Sequence, residues 1–169
     1  MKRILFLLCY LISMRAISQP TQKDIVTVVR AKVNAINAHI EDYKKVEKET
    51  YESTEGGVSV AFFNKHDLVK INATFYGETG KSVVEYYFEN DKPLFIFEKQ
   101  YSYYKPISIE PTRIRSTQEN RLYYENGMLM RWIDDRHKEV PTSTKSFETA
   151  SKVWTRDAEK QVLLFTFCK

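Results

Sequence analysis

A chain of 169 residues with 26 lysines and arginines against 22 aspartates and glutamates has a formal charge of +4, and its two cysteines are too few for a disulfide-stapled scaffold. Lys2, Arg3 and Arg15 make up most of that surplus. Residues 19–169 hold 23 basic against 22 acidic groups, too even a balance to draw nucleic acid. Stability must then come from packing, for which residues 19–169 supply ten tyrosines, nine phenylalanines and both tryptophans.

Met1-Lys2-Arg3 is a short positive lead, and residues 4–13 (ILFLLCYLIS) form an apolar run. That run is about half the length a membrane span requires, and it suits the core of a signal peptide. Ala16-Ile17-Ser18 places small residues where a signal peptidase reads, so residues 1–18 are expected to be removed before Gln19. The expected product is exported, periplasmic or extracellular, with no transmembrane anchor. Leu7-Leu8 ahead of Cys9 excludes a lipid anchor, and Cys168 is left as a lone thiol in a frayed terminus.

Thr21 is placed to cap a helix whose stripe runs Ile25, Val29, Val33, Ile36, Ile40 and Tyr43, at alternating spacings of three and four. The stripe fades through residues 44–52 and stops at Gly56-Gly57. From Val58 the period is two. Val69, Ile71, Ala73 and Phe75 alternate with Lys70, Asn72, Thr74 and Tyr76. Gly77-Glu78-Thr79-Gly80 turns the chain, and Val84, Tyr86 and Phe88 continue with Glu85 and Tyr87 on the opposite face. Asn90-Asp91-Lys92-Pro93 turns it again into residues 94–104, which are apolar or aromatic on both faces. A loop with Pro106 and Pro111 leads to a hairpin over residues 112–134.

That hairpin admits two registers. A two-residue turn at Asn126-Gly127 pairs Tyr124 with Leu129 and Leu122 with Arg131. A three-residue loop Glu125-Asn126-Gly127 pairs Tyr124 with Met128 and Leu122 with Met130. The second collects Leu122, Tyr124, Met128, Met130 and Trp132 on one face and Arg121, Tyr123 and Arg131 on the other, so it is the one expected. Helical spacing returns with Phe147, Ala150, Trp154, Ala158, Val162 and Phe165, capped by Ser143 or Thr144. Helix is favoured over strand at the end of the segment. The expected fold is α+β in a single domain over residues 19–169. An N-terminal helix, an antiparallel meander of five or six strands and a C-terminal helix follow in order, with both helices on one sheet face.

Tyr86-Tyr87-Phe88-Glu89-Asn90 and Tyr123-Tyr124-Glu125-Asn126-Gly127 are alike, and YYENGML is similar to one hairpin of MORN-type repeats. Signal peptide, long helix, YYF and RLYYENG together make the chain resemble uncharacterised exported proteins of Bacteroidota-like bacteria over most of residues 20–135. The resemblance implies no activity.

Chemistry is sparse. His39, His66 and His137 stand in no metal-ligand spacing, and a solvated hairpin end accounts for Asp134, Asp135 and His137 better than a metal does. There is no nucleophile elbow and no glycine loop followed by the lysine and helix of a phosphate cradle. Glu85, Glu98 and Glu119 supply carboxylates, as any charged sheet does, and a hydrolase is the remote reading. No catalytic residue, metal or cofactor is expected. The candidate binding surface is the polar sheet face with Arg121, Tyr123 and Arg131, joined by Lys70, Asn72, Glu85 and Tyr87, because arginine and tyrosine dominate binding hot spots. The expected function is a non-enzymatic binding protein that grips another protein, in an inhibitor or immunity-like role. The alternative is a glycan or lipid held between helix and sheet. Tyr101, Tyr103 and Tyr104 are expected to pack as a strand end against the proline-bearing loop.

Overall fold

The structure, a computed structural model, describes residues 22–51, 53–109 and 113–168, with residues 22–24 described by their backbone alone. The expected signal peptide and the expected cap at Thr21 lie outside the described residues. Helix α1 (Gln22–Ala38) leads into strands β1 (Lys44–Thr50), β2 (Gly57–Asn64), β3 (Asp67–Gly77) and β4 (Gly80–Glu89). Strands β5 (Lys92–Tyr103), β6 (Ile114–Glu125) and β7 (Met128–Ile133) precede helix α2 (Lys145–Leu164) and a final 3-10 turn, Thr166–Cys168. The strands form one antiparallel sheet in sequence order, so the α+β meander holds and, among the described residues, its strand number is seven rather than five or six.

The extra strand is β1, where the sequence reads as a fading helix. Its residues KKVEKET contain one aliphatic side chain, too little for a period to show. The strand gains its place from its partners. Lys48 pairs with Ser59 and Val46 with Ala61, so lysines at 44 and 48 point to the same side as the core. There the Lys48 ammonium donates to the Leu164 carbonyl (2.7 Å) and the Lys44 ammonium to the Cys168 carbonyl (2.8 Å). Helix α2 has no basic residue in its last turn; Lys48 of β1 brings a cation to that negative end, and Lys44 another to the 3-10 turn after it. Cys168 is accordingly not frayed: it is half-buried against the main core.

Three hairpin tips are built alike. Asn64 pairs with Asp67, Glu89 with Lys92 and Glu125 with Met128 across two-residue turns. In each, the register slips one residue further along, so that Val69, Leu94 and Met130 are extra residues in their strands. Asn90, Asp91, Asn126 and Gly127 all have positive φ, as a primed hairpin turn requires. The last hairpin therefore corrects the expected register: the turn has two residues, Tyr124 pairs with Leu129, and the bulge lies inside the strand at Met130. Leu122, Tyr124, Leu129 and Trp132 join the core, Met128 is exposed, and Met130 passes to the other face.

Those bulges also overturn the expectation that both helices share a face. Uninterrupted alternation would keep Leu94 beside Ile96; the bulge moves it across, where Leu94 and Met130 pack with Ile25, Val29 and Tyr123. That apolar patch receives α1. Helix α2 covers the opposite face with Phe147 and Ala158, over a core of Ala61, Phe63, Ile71, Tyr86, Phe88, Ile96 and Leu122. Gln161 of α2 is buried and bonds to buried Ser59 (3.0 Å), which pins the helix to its register. Thr144 caps α2 as expected, its hydroxyl accepting from the Phe147 amide.

Candidate functional site

Strand pairing lays the side chains of the α1 face out in rows across the sheet. The row beneath α1 runs Lys45, Phe62, Lys70, Tyr87, Phe95, Tyr123, Arg131. The next runs Glu47, Val60, Asn72, Glu85, Phe97, Arg121, Ile133. Beyond it come Glu49, Val58, Thr74, Val83, Lys99 and Glu119, and then Tyr76, Lys81, Tyr101 and Thr117. All seven candidate residues do share this face. They do not share its exposure.

Lys70, Tyr87 and Tyr123 are buried, against the expectation of an open polar surface, because α1 lies over their row. Its Asn37 side-chain oxygen accepts from the Lys70 ammonium (3.2 Å) and lies 3.0 Å from the Tyr87 hydroxyl, whose one proton goes to Glu85. The same ammonium pairs with Glu85 at 2.7 Å and sits 4.7 Å above the Tyr87 ring. Burial alone would raise the Glu85 carboxyl; hydrogen bonds from Lys70 and Tyr87, with the lysine charge, outweigh it and hold the carboxyl below its usual range. Burial, and then the hydrogen bond to Glu85, push the Tyr87 phenol up. The four groups are an anchor for α1, charged and closed on itself. Arg131, half-buried, pairs with Glu139 at 2.7 Å.

Asn72, Glu85 and Arg121 stand in the first row outside α1, and there the face is half-exposed. Phe97 is its centre: the Arg121 guanidinium lies 5.0 Å and the Lys99 ammonium 5.9 Å from the ring centroid. Glu119 bridges these two cations, at 3.0 Å from Lys99 and 2.6 Å from Arg121. The hydrogen bond from Lys99 leads the interactions that keep the Glu119 carboxyl below its ordinary range. Val83 is half-exposed beside this cluster, Val58 and Val60 are half-exposed further along the same rows on β2, and Lys81 lies over Tyr101 at 5.3 Å. Sequence reasoning missed Phe97, Lys99 and the three valines. Their signal was available in parity, since Phe97 and Lys99 alternate with buried Ile96 and its neighbour Glu98.

The remaining candidates disperse. Glu98 projects from the α2 face, away from Glu85 and Glu119, so the three carboxylates form no pair. Asp134 accepts from the backbone amides of Lys138 and Arg136 and from the Arg136 guanidinium, and the Lys138 bond leads in lowering its carboxyl. It closes the turn after β7. No group of three or more metal-ligating side chains occurs among the described residues. Tyr101 and Tyr103 lie on β5, and the loop that follows is tied to the Gly77–Gly80 turn, with Ile107 donating to the Glu78 carbonyl. Tyr104 is exposed. Among the described residues no helix is long and apolar enough to cross a membrane.

No protein-family model matches the chain, and no curated protein or solved structure is similar to it.

Proposed function

We propose that this is an exported, non-enzymatic binding protein that grips another protein through the rows of the β-sheet that α1 leaves open. One observation carries the reading: Val83 and Phe97 stand half-exposed among Lys99, Arg121 and Glu119, and Val58 and Val60 extend the half-exposed apolar area along the same two rows to β2. Apolar area fringed by arginine and aromatic side chains, already ordered before binding, is the composition that loses least entropy when a partner covers it. Seven strands at about 4.8 Å spacing present a face roughly 29 Å across, enough for the core of a standard interface once flanking loops join in. An inhibitor or immunity-like role fits a protein whose work is to cover a partner's surface.

The test is affinity capture from the envelope and culture fluid of the source organism, followed by binding of the purified pair. The chain is compared with a Val83→Glu/Phe97→Glu/Arg121→Glu variant of unchanged fold. The expected result is one partner bound by the parent and lost by the variant, with amide-exchange protection mapping to β2–β6. A partner bound equally by both, or protection confined to other surfaces, overturns the assignment of this face.

A further inference from the structure

On the opposite face a trough of about 480 Å³ runs between the flank of α2 and strands β3–β5. Phe75, Val84 and Tyr86 on the sheet side and Trp154 on the helix form its apolar wall, and Ser82, Glu98, Asp157 and Lys160 supply the polar groups. It runs along the margin of the rows that α2 buries: Val84 and Tyr86 form its buried floor, and Phe75 and Trp154 remain half-exposed.

Glu98 is the informative member. One of its carboxylate oxygens accepts from the Ser82 hydroxyl (3.2 Å) and the other from the Asn120 side-chain amide (2.9 Å). Asn120 is itself held by the Trp132 indole N–H (2.9 Å). A chain of hydrogen bonds across β4 to β7 thus fixes a half-buried carboxylate at the trough, with neutral donors on both oxygens and no cation within salt-bridge distance among the described residues. Each oxygen keeps a further acceptor direction. This contrasts with Glu85 and Glu119 on the other face, which are each closed by a lysine.

We infer that this trough binds a small organic amine, an ammonium group on a short apolar or aromatic body. A fixed carboxylate and an indole lining one trough provide both attractions such a cation seeks, an ion pair and a cation–π contact; Asp157, which pairs with Arg156 (3.6 Å) and Lys160 (4.0 Å), is a second carboxylate at the rim. A neutral saccharide would meet the same aromatic wall and could donate its hydroxyls to Glu98, but it carries no charge to pair with that carboxylate. The volume lies within the range of small-ligand sites. The site is separate from the protein-binding face and does not depend on it.

The two tryptophans of the chain both report on it, Trp154 from the wall and Trp132 through Asn120. Benzylamine, benzyl alcohol and cellotriose would be titrated in turn into the full chain while the two indole N–H resonances are followed by NMR. The expected result is a saturable shift of both resonances with benzylamine, and binding of the isosteric alcohol at least roughly tenfold weaker, as loss of one charged hydrogen bond predicts. Glu98→Gln is expected to weaken benzylamine by a similar factor; should that variant misfold, Asp157→Asn, on the helix side, takes its place. Equal binding of amine and alcohol, indifference to both substitutions, a response to cellotriose alone, or unmoved resonances would each overturn the inference.

Discussion

Glu85 shows how one side chain can belong to a surface by register and to the interior by its partners. It sits in the first open row, yet it binds Lys70 and Tyr87 beneath α1. Its carboxyl is depressed in the folded protein relative to the unfolded chain, so its stabilisation is complete above the unfolded value, about 4.3, and is lost as pH falls through the lower folded value. Urea midpoints measured from about pH 7 to 3 should therefore fall more steeply for the parent than for Glu85→Gln, with the divergence confined to the acid limb. Parallel curves would remove Glu85 from the linkage. Seven candidate residues were legible as one face because parity is a property of strands. Which of them water reaches was not, because that depends on a helix more than thirty residues away in sequence from most of them.

At the scale of elements, β1 and the hairpin tips make separate points. Lys48 supplies the cation that the last turn of α2 lacks, and Lys44 binds the carbonyl of Cys168 at the end of the 3-10 turn that follows. The double substitution Lys44→Gln/Lys48→Gln should cost about 1 kcal/mol by denaturant unfolding, and less at high salt, where helix-end electrostatics are screened. A salt-independent loss would point to packing of the lysine stems instead. The tips of the three bulged hairpins depend on left-handed backbone, most plainly at Gly127, where φ is +84° and an added Cβ would meet the Lys92 side chain at 3.4 Å. Gly127→Ala is expected to destabilise by about 1 kcal/mol, from the cost of placing an L-residue in that conformation. Unchanged thermal unfolding would show that the turn relaxes freely. The tyrosine–asparagine likeness between two hairpins was visible in sequence. The third member, Phe62-Phe63-Asn64, has the same pairing and bulge without the tyrosines.

For the whole molecule, the two helices guard two different cores. Helix α1 closes a small cluster of Ile25, Val29, Leu94 and Tyr123, while α2 closes the larger one. The two should therefore open independently. Val29→Asp places a carboxylate in the smaller cluster, where Val29 is 3% exposed. Amide exchange should then accelerate through α1, while the sheet and α2 keep their protection. Uniform loss of protection would show instead that both faces unfold as one unit.

What the chain determined by itself is whatever rests on short-range periodicity and turn chemistry. The apolar stripes of α1 and α2, the alternation of the central strands, the Thr144 cap and the positions of the turns were all readable within a few residues of where they act. What tertiary structure decided is whatever one residue of slippage can reverse. The bulges at Leu94 and Met130 carry apolar side chains to the second face, so α1 settles there and covers half of the surface that looked open. Strand β1, nearly all charged, forms because β2 offers it backbone partners, and the end of α2 and the 3-10 turn after it offer its lysines carbonyls. Pairing energies of that kind act between residues far apart in the chain, and local pattern does not contain them.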